Sequence, residues 1–294
     1  MYNEIDSNKR KSIILMMIFI VVIIALGFVF DQASGSGSYG GVFFAIIFSL
    51  GMTAISYFQG DKIALWTNGA HPIEHDENPY VYHLVENLCI TAGLPVPKVY
   101  IMEDPAINAF ATGRKPDMAT IAITRGAIEK LESVELEGVI AHELSHVKNY
   151  DIRFMTLVAV MVGAIAILSN IFLRSRWLPR RNNNREGGDL GIIFMVVGII
   201  LAILSPIIAE LIKLAISRRR EYLADASGSL LTRYPEGLAR ALEKIAAENQ
   251  PLAHANQATA HLFLASPFSG KKVSNLFSTH PPIEDRIKKL RGMA

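Results

Sequence analysis

Ser133-Val134-Glu135-Leu136-Glu137-Gly138-Val139-Ile140-Ala141-His142-Glu143-Leu144-Ser145-His146-Val147 is the stretch on which the reading of this chain turns. Leu136, Ile140, Leu144 and Val147 recur at helical spacing and give one apolar face. Ser133 is positioned to cap the helix, and Glu135 and Glu137 suit its positive N-terminal end. His142 and His146 are four residues apart, so their rings leave the same face one turn apart, where both can ligate one ion. Glu143, offset by one residue, stands beside such an ion and can take a proton from a water there. A His-Glu-x-x-His arises by chance roughly once in eighty chains of this length and composition, judged by the motif's spacing. Taken alone, therefore, a chance pair of surface histidines stays open.

The rest of the chain supplies the setting. Of 294 residues, 51% are hydrophobic and only 19% are charged, with a mean hydropathy of +0.29. Soluble enzymes are normally about a quarter charged, so this balance points to a membrane. A net charge of +2 and no long basic stripe argue against nucleic acid as a partner. The single Cys89 excludes an intrachain disulfide framework and a multi-cysteine zinc site. Flanked by Leu88 and Ile90, it reads as a buried, inert thiol.

Four uncharged apolar stretches, Ser12–Phe30, Gly40–Phe58, Phe154–Leu173 and Leu190–Ala209, run for 19 or 20 residues each. As helices each reaches roughly 28–30 Å, the thickness of a hydrocarbon core. The first reads as a retained anchor rather than a cleaved leader, because Asp31 stands where a small residue would precede a cleavage site at Ala33. Lys9, Arg10 and Lys11 precede it, and no Lys or Arg occurs between Asp31 and Tyr39, which sets the N-terminus in the cytoplasm. Arg174, Arg176, Arg180, Arg181 and Arg185 oppose this, but ten basic residues flank the spans on the other side. The expected organisation is an N-terminal hairpin (1–59, spans 12–30 and 40–58), a cytoplasmic segment with the His helix (60–153), a second hairpin (154–213, stretches 154–173 and 190–209) and a second cytoplasmic segment (214–294).

The first polar segment reads as mixed α/β. His83–Ala92 is helical, Val99–Met102 and Thr120–Thr124 are short strands, and Ile107–Gly113 is a strand ending in a turn. In the second, Pro235–Glu248 and Pro282–Leu290 are the clearer helices. His71-Pro72-Ile73-Glu74-His75 spells an inverted zinc motif, yet Asn68, Gly69, Pro72, Asn78 and Pro79 make that region a turn rather than a buried helix.

A catalytic zinc takes three protein ligands and keeps one open position. Glu221, in Arg220-Glu221-Tyr222-Leu223-Ala224-Asp225, lies just after the fourth apolar stretch. An even pair of crossings returns the chain to the face it left, so Glu221 can reach the His pair. Asp225, one turn on, can accept the outer N–H of a ligating His. The alternative is that both acids pair with Arg218–Arg220 on a wet helix beside the membrane.

Several further stretches complete a pattern: Ile107-Asn108-Ala109-Phe110-Ala111-Thr112-Gly113, then Ala141–His146 continuing through Asn149, Asp151, Met155 and Thr156. Arg220-Glu221 with Ala224-Asp225-Ala226 follows, then Thr279-His280-Pro281-Pro282 with Arg286-Ile287. In these residues and their order the chain resembles the HtpX family of membrane-bound zinc endopeptidases, relatives of the proteases that process CAAX-box proteins. The resemblance implies a mainly α polytopic membrane protein with a small β-sheet and a zincin-like (gluzincin) catalytic domain. It further implies one Zn2+ per subunit on His142, His146 and Glu221, with Glu143 as the base. The active site would face the cytoplasm at the inner membrane, and the polypeptide substrates would be damaged membrane proteins under quality control. Asn108-Ala109-Phe110 would be an exposed edge strand holding substrate by strand addition, and His280 or Arg286 would stabilise the oxyanion.

Two other classes compete. A silent membrane scaffold with structural zinc would not need a base at Glu143. A transporter would be expected to carry ionisable residues inside its spans, and these stretches have none.

Overall fold

The computed structural model describes residues 2–34, 38–175, 198, 218–254, 257–268 and 281–293. Among these residues the chain is mainly helical with one small sheet. Two long helices come first, α1 (Tyr2–Ser34) and α2 (Gly40–Thr67). Both are long and apolar enough to cross a membrane, and they pack side by side as a hairpin. The close approach depends on Gly27, because a Cβ there would lie 2.6 Å from both the Ala45 Cβ and the Gly41 carbonyl oxygen. Asp31 closes the hairpin. Its carboxylate accepts the backbone N–H groups of Gly41 at 2.8 Å and Val42 at 2.9 Å, the orphan donors at the start of α2. The residue that argues against a cleavage site thus has a positive task in the fold.

A short strand β1 (Ala70–Pro72) and helix α3 (Pro79–Ala92) follow, then β2 (Lys98–Met102), β3 (Ala109–Gly113) and β4 (Ala119–Thr124). The strand order is β1-β2-β4-β3, with β2 and β4 parallel and the outer pairs antiparallel. After the short α4 (Arg125–Lys130) comes α5 (Ser133–Lys148), the helix of the opening motif. Its cap is Glu132, not Ser133. Glu132 and Glu135 form a reciprocal capping box, so the carboxylate one residue earlier does the work expected of the serine. The chain then turns by 85° at Asn149–Tyr150, where Tyr150 has φ 60, and continues as α6 (Asp151–Ser175).

Helices α7 (Arg218–Thr232), α8 (Pro235–Glu248) and α9 (Ile283–Arg291) complete the described elements. One core joins both polar segments. Leu136, Val139 and Ile140 of α5 pack with Ile121 and Ile123 of β4, Leu238 and Leu242 of α8, and Leu290 of α9. A second cluster joins α6 to the hairpin through Phe154, Leu157, Val158 and Met161 against Leu15, Phe19, Ile23 and Ala45. The apolar stretch 154–173 therefore lies in α6, while 190–209, apart from residue 198, and His280 lie outside the described residues. Cys89 is buried, and burial pushes its thiol up to about 11, which keeps it inert at neutral pH. His71 sits in β1 and His75 in a turn, so the inverted motif forms no helix.

Asp31→Ala removes both charge-assisted bonds to the start of α2 and is expected to cost about 1–2 kcal/mol. Thermal unfolding in detergent reads this as a lowered midpoint, and an unchanged midpoint would refute it.

Candidate metal centre

The capping box and apolar face of α5 bury the motif residues: His142, Glu143 and His146 are at most 4% exposed. Glu221 arrives from the first turn of α7. The two helices meet closely because of Gly228, where a Cβ would fall 3.0 Å from the His142 backbone nitrogen. His142 and His146 turn their Nε2 atoms toward each other at 3.2 Å. The Glu221 oxygens lie 3.7 Å from the first and 3.8 Å from the second. A tetrahedral ion with bonds near 2.0–2.1 Å separates its ligands by roughly 3.3 Å, so this triangle has the right size for one metal ion.

Each ring is held from behind. His142 Nδ1 lies 2.9 Å from an Asp225 oxygen, and His146 Nδ1 lies 3.1 Å from an Asp151 oxygen. With both Nδ1–H groups donated to carboxylates, two Nε2 lone pairs face each other. Such a contact needs a shared positive charge, either a proton or a metal ion. Burial lowers the basicity of His146, but Asp151, Glu221 and Glu143 outweigh it and raise its pKa to about 9. The surrounding carboxylates favour positive charge at this point, and imidazoles backed by carboxylates are what a divalent metal binds once it displaces the proton.

Glu143 completes the cluster. Burial pushes its carboxyl above the usual carboxylate range, while His142 and His146 pull it back. Its Oε1 is buried and accepts no hydrogen bond from the protein. A buried acceptor of this kind beside a metal triangle suits a group whose partner is a water or substrate.

The structure shows Arg286 holding a buried carboxylate. Its guanidinium is fully buried and bidentate to Asp225, at 2.9 and 2.7 Å, with its third donor given to the Leu264 carbonyl at 2.8 Å. Burial by itself pushes the Asp225 carboxyl up, but Arg286 and His142 hold it well below the usual carboxylate range. Arg286 is a positioning residue, locking the carboxylate that orients His142.

Asn108-Ala109-Phe110 also differs from expectation. Ala109 and Phe110 do lie on the outermost strand, β3, but its free side is covered. The Leu264 N–H donates to the Ala109 carbonyl at 2.9 Å, and the Asn108 side chain binds the Ala265 backbone. Phe110 stacks edge-on against Phe263 at 5.2 Å. An apolar segment seals the edge, so these three residues are buried rather than exposed.

Three residues of the site carry no role in the sequence reading. Asp151 binds Arg220 at 2.8 Å and receives the Asn8 amide at 2.6 Å. Asn8 also donates to the Asn149 carbonyl at 3.0 Å. The first transmembrane helix thus contacts the carboxylate that holds His146. Asp151 was detectable as an acid just after the motif and just before an apolar run; Asn8, 143 residues away, left no local signal.

A buried His-His-Glu triangle that could hold a metal ion, with a neighbouring glutamate and two helices long and apolar enough to cross a membrane, is the arrangement expected of a membrane metallopeptidase. The comparisons agree. Residues 75–294 match the model of peptidase family M48. The chain is 44% identical to a protease HtpX homologue of Dictyoglomus thermophilum over 99% of this chain and 94% of the relative. It is 41% identical to another from Streptococcus uberis over the full length of both. The chain therefore belongs to peptidase family M48 and, within it, to the HtpX proteases. In fold it is similar to the crystal structure of S. mikatae Ste24p, with a TM-score of 0.52 and 21% identity, covering 99% of this chain and 66% of that one.

Asp151→Asn is expected to weaken metal binding by about 10- to 100-fold, as loss of an orienting carboxylate does elsewhere. Asn8→Ala should weaken it less, and Asp6→Ala, exposed on the same helix, not at all. Competition with a chromophoric chelator measures all three; equal affinities throughout would break the link between α1 and the centre.

Proposed function

We propose that this membrane protease is a zinc-dependent endopeptidase, with one Zn2+ per subunit held by His142, His146 and Glu221. The observation that carries the reading is the pair of facing Nε2 atoms, 3.2 Å apart, completed by the Glu221 carboxylate. Two imidazoles and a carboxylate in a small tetrahedral triangle suit zinc better than magnesium or calcium, which favour all-oxygen shells. When bound, zinc supplies Lewis acidity that polarises the scissile carbonyl and makes a water easier to deprotonate.

The chain's own residues carry the rest. Glu143 accepts a proton from the attacking water at its uncommitted carboxylate oxygen. It then delivers that proton to the amine nitrogen as the C–N bond breaks. Asp225 and Asp151 keep the two rings in one tautomer and one orientation, and Arg286 and Arg220 hold those carboxylates in place by ion pairs.

The substrates we infer are polypeptides of the membrane itself, misfolded or damaged. Asn8, at the Lys9–Arg10–Lys11 end of α1, contacts Asp151, so the centre lies at the end of the span that the charge pattern assigns to the cytoplasm. A site tethered to the spans at that boundary supports a role in clearing membrane proteins from the cytoplasmic face of an inner membrane. The organisation into hairpins 1–59 and 154–213, with catalytic segments 60–153 and 214–294, belongs to the same proposal.

The test compares wild type with Glu143→Gln and Glu221→Ala on casein, in detergent. Glu143→Gln should abolish cleavage while keeping stoichiometric zinc, and Glu221→Ala should lose both. A chelator should abolish wild-type activity, with zinc restoring it. Cleavage by Glu143→Gln, or activity indifferent to chelation, would overturn the mechanism.

A further inference from the structure

At the end of β3 away from Asn108, a cavity of about 420 Å3 lies between α2, the β3–β4 connection and α6. Tyr57, Phe58, Lys98, Arg114 and Arg153 line it. The Arg153 Nε donates to the Arg114 carbonyl at 2.7 Å, which ties the two residues together. Both guanidiniums lie 5.8 Å from the centre of the Tyr57 ring, and Arg114 is 5.1 Å from that of Phe58. Arg114 turns its Nε to the Met118 sulfur. Among the described residues, neither guanidinium pairs with a carboxylate. The acids on the wall are Asp61 and Asp117, and Asp117 is engaged by Lys115.

With Asp117 engaged by Lys115, Asp61 leaves Lys98, Arg114 and Arg153 in excess on this wall, and like charges repel, more so where the surroundings are partly apolar. Their position says what relieves this. Tyr57 lies about 26 Å along α2 from Gly40, near one boundary of a hydrocarbon core of about 30 Å. The exposed apolar residues Phe43, Phe44, Ile47, Leu50, Ile55 and Phe58 of α2 give way there to Asp61 and Lys62. On α6 the same boundary falls between Arg153 and Phe154, and on α1 between Lys11 and Ser12. Aromatic rings and arginines at this depth belong to the headgroup layer.

We propose that this cavity binds the phosphate of an anionic phospholipid headgroup, with Arg114 and Arg153 as its two forks. A phosphate diester offers the acceptors that arginine forks match bidentately, and one phosphate between the two relieves their repulsion. Basic pockets beside spanning helices at the headgroup level take acidic lipids in this way. Inorganic phosphate shares the chemistry; the hydrocarbon boundary favours the lipid. A lipid here would fasten the end of β3 and the start of α6 to the bilayer surface.

The experiment uses the purified full chain in a neutral detergent, with fluorescent phosphatidylglycerol and phosphatidylcholine as probes. Wild type should prefer phosphatidylglycerol by about tenfold or more, and R114Q/R153Q should abolish that preference. No preference in wild type, or an undiminished one in the double variant, overturns the proposal. Should the double variant fail to fold, R114Q and R153Q singly are each expected to lower the preference about threefold. Singles indistinguishable from wild type would then overturn it. Inorganic phosphate should displace the labelled lipid far less well than unlabelled phosphatidylglycerol; equal displacement would assign the site to free phosphate and overturn the lipid.

Discussion

Two imidazole nitrogens facing each other across 3.2 Å inside the protein are tolerable only with a positive charge between them. Much of the structure can be understood as the support this contact needs. Each ring must stay neutral on its inner edge, so each outer N–H is given to a buried carboxylate. Each carboxylate in turn needs a cation, and the fold supplies Arg286 for Asp225 and Arg220 for Asp151. The arrangement is a set of alternating charges nested around one point. Breaking it at any layer leaves an unpaired group in a low-dielectric interior, where the cost is several kcal/mol.

This demand explains why the centre is assembled from distant parts of the chain. One helix can present two histidines, but it cannot also surround them. Asp225 and Glu221 come from α7, Arg286 from α9, Asp151 from the start of α6 and Asn8 from the first membrane helix. The 85° turn after α5 places Asp151 back against His146 while sending α6 along the hairpin. The membrane helices are thus more than an anchor, because a polar side chain of α1 reaches the carboxylate behind a proposed metal ligand.

The same packing logic bears on two of the sequence expectations. Arg286 has the charge expected of an oxyanion stabiliser, but three of its donors are committed to Asp225 and Leu264. Asn108–Phe110 carry the pattern of an edge strand, and Ala109 and Phe110 lie on one. Strand pattern cannot reveal whether another segment of the same chain covers that edge, and Phe263–Ala265 does.

The sequence by itself determined what depends on local spacing. Period and capping chemistry place α5, α8 and the strands β2 and β4 within a residue or two, because the alternation of buried and exposed side chains is a local signal. Apolar run length identifies α1 and α2 as spans, since only a continuous uncharged helix suits hydrocarbon. The i, i+4 histidines and the intervening glutamate are legible for the same reason. Only the tertiary structure decided who stands behind them. Asn8 and Asp151, or Arg286 and Asp225, meet through packing of helices far apart in sequence, and no local period encodes such a meeting. A side chain's chemistry is written in its residue type, but which of its donors remain free is decided by the neighbours that folding delivers.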